Sequence, residues 1–215
     1  MIKNILIDLD GTLTDPKIGI TTCVRYGLEK IGHPVAADLN LDWVIGPPLK
    51  VSLAKILNVS IDDDLAEQAL LGYRERFGHI GLFENEVFPD VAATLSQLQK
   101  QEYKLYLATA KPIVYATQIL EHFDLAKYFT KAYGSELSGE RTNKGDLIAY
   151  ILQQELLSPD ECMMIGDREH DILGARCNGI ETIAVEYGYG TDQELTAAKP
   201  LYRITKFAEV LDYLS

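Results

Sequence analysis

The stretch IKNILIDLDGTLTD, residues 2 to 15, contains a short apolar run that ends in two closely spaced carboxylates. Residues Ile2 to Leu9 are rich in Ile and are bounded by Gly11, which is typical of a buried parallel strand. Asp8 and Asp10 stand at the end of this strand, where buried carboxylates are costly unless something compensates their charge. The stretch therefore predicts a strand of the core that carries functional acids at its carboxyl end.

Strand and helix patterns alternate through most of the remaining chain. Further apolar runs typical of strands occupy residues 104–108, 132–134, 162–165 and 182–185. Between them, apolar residues recur at helical spacing, in the sets Val91, Leu95 and Leu98, then Ile113, Ala116 and Leu120, then Leu147, Ile151 and Leu152. This alternation predicts an α/β fold with a doubly wound parallel sheet, a Rossmann-like core.

Residues 15–82 interrupt the alternation with helical patterns. Asp15-Pro16 predicts an N-cap followed by a proline that starts a helix. We therefore expect a catalytic core of residues 1–14 and 83–215, and a small all-helical cap domain at residues 15–82. Because open α/β sheets bind ligands at the carboxyl ends of their strands, an insert that leaves from there is expected to act as a lid.

Charge and composition limit the kinds of partner. The 215 residues carry a formal net charge of -12, which disfavours a nucleic-acid polymer but allows a small phosphorylated metabolite. No apolar run suggests a membrane span and the N-terminus does not resemble a signal peptide, so we expect a cytoplasmic protein without a membrane partner. Cys23, Cys162 and Cys177 predict neither a disulfide framework nor a zinc site. The sequence leaves open whether the protein is a monomer or a homodimer.

The acids at the end of the first strand suit phosphate chemistry. A divalent cation compensates buried carboxylates well, and Gly11 allows the close backbone approach that a loop around phosphate needs. Because the strand is ending, the side chains of Asp8 and Asp10 can diverge into different roles. One carboxylate can attack phosphorus while the other points at the leaving oxygen.

Four motifs resemble those of the haloacid dehalogenase superfamily. The run from Asp8 to Thr12 reads DLDGT and is similar to the first motif, DxDGT in the phosphatases. Lys104–Thr109, an apolar strand that ends in a hydroxyl residue, is similar to the second. Lys144 opens a helix after a turn-rich stretch, like the third motif, and Met164–Asp171 resembles the acidic fourth. The motifs occur in the expected order and cover essentially the whole chain, which implies the superfamily's core fold.

The resemblance implies a role for each motif residue. Asp8 would form an aspartyl-phosphate, and Asp10 would protonate the leaving alkoxide and then take a proton from the attacking water. Thr109 would hydrogen-bond a phosphoryl oxygen, and Lys144 would neutralise charge on the nucleophile and the phosphoryl group. The dehalogenases of the superfamily lack an acid at the position of Asp10, so its presence favours a phosphatase.

Mg²⁺ is the cofactor that the resemblance implies. This cation prefers oxygen ligands in octahedral geometry and keeps several of its waters. Its protein ligands would be Asp8, the main-chain carbonyl of Asp10, and Asp167. Asp171 would orient that set of ligands or Lys144.

The insert favours one group within the superfamily. It resembles the first cap class, and together with Tyr73–Gly78 and Glu84–Pro89 it looks closest to the phosphoglycolate phosphatase-like group, which includes 5'-nucleotidases. This implies hydrolysis of small phosphate monoesters, with phosphoglycolate or a nucleoside 5'-monophosphate as substrate. Arg74 or Arg76 in the insert is a candidate to bind an anionic part of the substrate, because arginine suits carboxylate and phosphate.

Three further residues are candidates for binding phosphate. Gly11 would do so through its backbone. Ala110 follows the second motif, where the phosphoglycolate phosphatase-like group commonly has Ser or Asn, and Lys111 would add a cation.

Three alternative functions remain. A sugar phosphomutase would pass the phosphoryl group to a sugar instead of water on the same scaffold. A phospho-acceptor signalling module of the receiver type also combines acids, a Thr and a Lys, although such domains are shorter and lack DxDGT. A catalytically silent binding protein would need to have lost a required group, and all of those groups are present.

Overall fold

A parallel sheet forms the centre of the fold. The computed structural model of the protein describes residues 1–214. Its strands are β1 (Asn4–Ile7), β2 (Thr14–Asp15), β3 (Glu86–Val87), β4 (Lys104–Pro112), β5 (Lys131–Ser135), β6 (Cys162–Gly166), β7 (Glu181–Val185) and β8 (Tyr202–Ile204). The main sheet has the order β5-β4-β1-β6-β7-β8, and each pair of neighbours is parallel.

Helices alternate with the strands of this sheet, apart from a helical run between β2 and β3. They are α1 (Lys17–Lys30), α2 (Leu49–Leu57), α3 (Asp64–Arg76), α4 (Val91–Lys100), α5 (Ile113–His122), α6 (Lys144–Glu155), α7 (Glu169–Cys177), α8 (Asp192–Ala198) and α9 (Val210–Tyr213). A π-helical turn, Phe77–Gly81, directly follows α3. The prediction of an α/β fold with a doubly wound parallel sheet is confirmed. Within residues 1–214, no helix combines the length and the hydropathy needed to cross a bilayer.

Strand β1 lies at the centre because all four of its residues can be buried. It pairs with β4 on one side and with β6 on the other, with Ile7 opposite both Leu107 and Ile165. The sheet is covered on one side by α6 and α7, where Leu147 and Ala175 share an apolar cluster with residues of the strands. Burying a strand on both faces favours continuous apolar residues over alternation, which is why these strands were recognisable from the sequence.

Two local predictions were wrong. The N-cap of α1 is Pro16, and no side chain caps this helix. Asp15 belongs to β2, and its Oδ1 accepts a hydrogen bond from the hydroxyl of Tyr189, so tertiary contacts override its local capping preference. The sequence analysis also missed β8, because only Ile204 of its three residues is buried and so short a run shows no period.

The chain divides into two compact units. One contains Met1–Asp15 and the chain from Val87 onward, and the other is Pro16–Glu86. In the second unit, α1 packs on α3, and Val24, Leu28, Ala69 and Tyr73 are among the side chains that they bury. This unit therefore has an apolar core of its own. Its role as a lid stays a prediction.

Candidate active site

Four carboxylates and two ammonium groups meet at one edge of the sheet. Asp8 and Asp10 follow β1, Asp167 follows β6, and Lys111 lies near the end of β4. The other two members are Lys144 at the start of α6 and Asp171 in the first turn of α7. Among residues 1–214, these six are the charged side chains that the fold buries. Because burying a charge is costly unless it is paired, their concentration at one place indicates a functional site.

Lys144 is held by three oxygen atoms. Its Nζ lies 2.9 Å from Oδ1 of Asp8, 2.7 Å from Oδ1 of Asp171, and 2.8 Å from the carbonyl oxygen of Ala108. An ammonium group has three donors, so this arrangement can use all of them. Burial opposes the charge, yet Asp171 and Asp8 hold the pKa of Lys144 above its ordinary value. The residue therefore stays cationic beside the predicted nucleophile.

Asp171 connects Lys144 to the loop that carries Asp167. Its Oδ2 accepts hydrogen bonds from the backbone N–H groups of Asp167 and Arg168, both at 3.1 Å. The second of these bonds belongs to a capping box at the start of α7. Asp171 therefore fixes the backbone of Asp167 with one oxygen and binds Lys144 with the other.

The carboxyl group of Asp167 is fully buried among other charges. Burial first, and then the negative charges of Asp171 and Asp8, raise the pKa of its carboxyl well above the ordinary range. Its Oδ2 accepts a hydrogen bond of 2.7 Å from the backbone N–H of Tyr189. The backbone of Gly11 lies against the same carboxylate, since a Cβ added at Gly11 would stand 2.2 Å from Oδ2 of Asp167. The φ of Gly11, +82°, also favours glycine at this position. The loops after β1 and β7 thus both contact the Asp167 carboxylate.

The chemistry of these residues fits a divalent cation. Oxygen atoms of Asp8, Asp167 and Asp171 all lie within 4.8 Å of one another. With every group ionised, the four carboxylates exceed the two ammonium groups by two negative charges, which one divalent cation would balance. Mg²⁺ favours carboxylate oxygens. The cluster contains Asp8 and Asp167 from the predicted ligand set, and Asp171 in addition.

Asp10 forms an ion pair with Lys111. The Nζ of Lys111 lies 2.7 Å from Oδ2 of Asp10, and both side chains are buried. Burial raises the pKa of Asp10 above its ordinary value, although the charge of Lys111 opposes the shift. Lys111 was expected to bind phosphate, and the contact seen here is with the predicted general acid.

The backbone around Thr109 is tightly organised. Its buried Oγ1 accepts a hydrogen bond of 3.2 Å from the N–H of Lys111, which leaves its own O–H able to donate to a phosphoryl oxygen. The hydroxyl of Ser135 on β5 donates a 2.8 Å hydrogen bond to the carbonyl oxygen of Ala110. Thr109 and Ala110 therefore lie beside Lys111 at this edge. Their roles in binding phosphate stay predictions.

The two arginines proposed from the insert differ in their surroundings. Arg76 donates hydrogen bonds of 2.6 and 2.8 Å to the two carboxylate oxygens of Glu84, and a third of 3.1 Å to Sγ of Cys23. This bidentate pair gives Arg76 a structural role within the insert. Arg74 is half-buried on α3, and its role in binding substrate stays a prediction.

The sequence analysis did not recognise the segment Tyr187–Gly190 as part of the site. The hydroxyl of Tyr187 donates a 2.7 Å hydrogen bond to the carbonyl oxygen of Thr12, and Tyr189 binds Asp167 through its backbone N–H. An added Cβ at Gly188 would stand 2.3 Å from Cβ of Asp167 and 2.5 Å from the carbonyl oxygen of Gly11. The alternation Tyr-Gly-Tyr-Gly shortly after a strand could have indicated a role in the site, because glycine in such a place often marks close approach of another backbone.

Replacing Gly188 by Ala is expected to weaken metal binding. The new methyl group must displace either Asp167 or the loop after β1, because the space between Gly188 and these neighbours has no room for another heavy atom. Disturbing the groups that orient a metal ligand costs about 10- to 100-fold in affinity. We expect the Mg²⁺ concentration needed to half-saturate the site to rise by about that factor.

A matched glycine variant separates this effect from general damage. Unlike Gly188, Gly139 has a positive φ, +95°, and an added Cβ there would meet no atom within 4 Å. Gly139→Ala should therefore cost some stability and leave the Mg²⁺ requirement unchanged. Equal Mg²⁺ requirements in Gly188→Ala and the wild-type chain would show that this segment does not position Asp167.

Comparison with protein families gives a match over most of the chain. The family model described as haloacid dehalogenase-like hydrolase matches residues 5–185. A 5'-nucleotidase of Pseudomonas aeruginosa is 43% identical over 211 residues, which are 98% of this chain and 95% of that protein. A phosphoglycolate phosphatase of Vibrio vulnificus is 27% identical, over 98% of this chain and 95% of that protein.

Other similar proteins include one with a crystal structure and one named as a kinase. The crystal structure of a predicted phosphatase from Clostridium acetobutylicum has a TM-score of 0.94 and 39% identity, and the alignment covers 100% of this chain and 98% of that one. The tyrosine-protein kinase PtkA of Mycobacterium tuberculosis is 34% identical, and the alignment covers 86% of this chain and 62% of that protein.

Proposed function

The chain belongs to the haloacid dehalogenase-like hydrolases and is a phosphatase of that family, and from this premise we propose that it hydrolyses small phosphate monoesters through an aspartyl-phosphate on Asp8. The observation that carries the proposal is the concentration of the buried charges around Asp8 at the carboxyl ends of β1, β4 and β6. No structural requirement of the fold explains six such charges in one place, whereas phosphoryl transfer needs them.

In the first step the Asp8 carboxylate attacks phosphorus. Lys144 fixes the position of Oδ1 of Asp8 and places a positive charge where negative charge gathers on the phosphoryl oxygens. The Thr109 hydroxyl donates to one of those oxygens. Holding the nucleophile and the phosphoryl group in this way supplies positioning, which is the larger part of catalysis for a loose phosphoryl transition state.

Asp10 handles the proton in both steps. It gives a proton to the leaving oxygen as the ester bond breaks, and it then takes one from the water that attacks the aspartyl-phosphate. The raised pKa of Asp10 favours the protonated form needed for the first step.

Mg²⁺ is the proposed cofactor. Asp8, Asp167 and the main-chain carbonyl of Asp10 would hold it, with Asp171 beside them. When bound, the ion would balance the surplus negative charge of the site and polarise the phosphoryl group.

A nucleoside 5'-monophosphate is our first candidate substrate. The relative named 5'-nucleotidase is 43% identical, against 27% for the phosphoglycolate phosphatase. The net charge of -12 disfavours a nucleic-acid polymer but is compatible with a small anionic metabolite whose phosphate contacts local positive charge. Lys144, Lys111 and the proposed cation would supply that local charge.

Phosphate release across a substrate panel tests the function. We expect hydrolysis of AMP or another nucleoside 5'-monophosphate in the presence of Mg²⁺, and its loss with EDTA. Phosphoglycolate, a sugar phosphate and phosphotyrosine complete the panel. Turnover that persists with excess EDTA would contradict the proposed cofactor.

Two further arms separate the alternatives. Transfer of the phosphoryl group to added sugar instead of water would indicate a mutase. Transfer of a phosphoryl group from ATP to a tyrosine-containing peptide would indicate a tyrosine kinase, the activity for which the 34% identical PtkA is named. Absence of release and transfer with every compound would overturn the proposed function.

A further inference from the structure

The end of β4 is irregular where it reaches the site. The register between β4 and β5 is regular from Tyr106 to Thr109 and shifts before Pro112, so Ala110 and Lys111 lie in an irregular, bulge-like segment. Bulges beside active sites redirect a side chain that regular pairing would point elsewhere. Lys111 lies in this irregular segment, and its side chain reaches Asp10.

The backbone of this segment is fixed on both sides. Within it, the N–H of Lys111 donates to Oγ1 of Thr109 at 3.2 Å. From β5, the hydroxyl of Ser135 donates to the carbonyl oxygen of Ala110 at 2.8 Å. Both Thr109 and Ser135 are buried. Lys111 thus extends from a rigid support, which is what a positioning group requires.

The two oxygens of the Asp10 carboxyl group have different surroundings. Nζ of Lys111 lies 2.7 Å from Oδ2. Oδ1 is buried and has no hydrogen-bond partner among residues 1–214. A buried polar atom without a partner is costly and calls for an explanation, such as a substrate atom that binds there.

We propose that Lys111 is a positioning residue for proton transfer, which binds Oδ2 of Asp10 and presents Oδ1 to the leaving oxygen of the phosphate ester. This inference rests on the proposed function and replaces the expectation that Lys111 binds the phosphoryl group. As the bond between phosphorus and the leaving oxygen breaks, the proton on Oδ1 moves to that oxygen, and Lys111 balances the carboxylate that remains. In the second step, a water proton returns to Oδ1 while the water oxygen bonds to phosphorus and the bond to Asp8 breaks.

The leaving group distinguishes positioning of the acid from binding of phosphate. The 5'-alkoxide of AMP needs a proton to depart, whereas p-nitrophenolate departs without one. Both substrates carry the same phosphoryl group. Loss of a phosphate-binding group should therefore lower kcat/KM for the two substrates equally. Loss of acid positioning should lower kcat/KM strongly for AMP alone, because kcat/KM reports the step in which the leaving group departs and not the later hydrolysis of the aspartyl-phosphate.

The variant Lys111→Met keeps most of the length of the side chain and removes its charge. We expect kcat/KM for AMP to fall about 100-fold, at the low end of the range for general acid catalysis. For p-nitrophenyl phosphate we expect a fall below about threefold, because its leaving group needs no proton from Asp10. Lys111→Gln should show the same split, and Lys104→Met, at the exposed start of the same strand, should change neither rate.

A double-mutant cycle gives the decisive result. Asp10→Asn removes the acid that Lys111 would position, so Lys111→Met should cause no further loss for AMP in that background. A loss that adds fully to that of Asp10→Asn would overturn the proposal, and so would equal losses on both substrates. No release from either substrate by the wild-type chain would instead overturn the proposed function, and this inference with it.

Discussion

Replacing Asp8 by Asn is expected to abolish turnover. An amide cannot attack phosphorus as a carboxylate does, and removal of a covalent nucleophile costs on the order of 10⁴-fold or more in kcat. The fold should persist, because Asp8 lies near Asp171 and Asp167, and removing one negative charge relieves repulsion at the site. Phosphate release from AMP at saturating Mg²⁺ measures the loss, and circular dichroism checks the fold.

Asp160→Asn is the matched control for this variant. Asp160 is exposed on the turn Pro159–Glu161, and its substitution should leave kcat unchanged. Acid quenching during turnover should also retain labelled phosphate on the wild-type chain and none on Asp8→Asn. Residual turnover above a few per cent of wild type would rule out Asp8 as the covalent nucleophile.

Replacing Lys144 by Met is expected to impair both catalysis and stability. The loss of a preorganised cation beside the reacting group should lower kcat by about 10²- to 10³-fold. Breaking a buried ion pair by removing one partner costs about 3–5 kcal/mol of the free energy of unfolding, because Asp8 and Asp171 then remain buried without their cation. Urea unfolding in the absence of metal measures this destabilisation.

Addition of Mg²⁺ provides an internal test of the same variant. If the ion binds the carboxylates that Lys144 normally compensates, it should stabilise Lys144→Met more than the wild-type chain. Lys100→Met, an exposed lysine at the end of α4, should behave as wild type in both assays. Wild-type kcat in Lys144→Met would exclude the proposed catalytic role, and no stabilisation of either protein by Mg²⁺ would exclude the metal site.

The fold could be predicted because its signals are local. Strand β1 is recognisable in the sequence as an apolar run, and the helices are recognisable by apolar residues three and four positions apart. In a parallel sheet the carboxyl ends of the strands share one edge, so Asp8, Thr109 and Asp167 were expected to converge there. The structure brings them to that edge. Their assigned roles stay predictions that the variants above can test.

The contacts that organise the site could not be predicted in the same way. Asp171 binds Lys144 and the backbone of Asp167, and neither contact has a spacing that a sequence pattern reports. Gly188 is required by the approach of Asp167 and of the loop after β1, which lies far away in the chain. The sequence predicted a helix cap at Asp15, whereas the side chain of Asp15 accepts a hydrogen bond from the distant Tyr189.

The sequence by itself determined the α/β class, the family and the set of candidate catalytic residues, because these depend on periodicity and on motifs that are contiguous in the chain. Only the tertiary structure decided how those residues pair. The sequence position of a lysine does not identify its acceptor, and Lys111 meets Asp10 only because β4 packs beside β1 in the sheet. Ion pairs between distant segments depend on where the packed backbone places each side chain, and that position is a property of the whole fold.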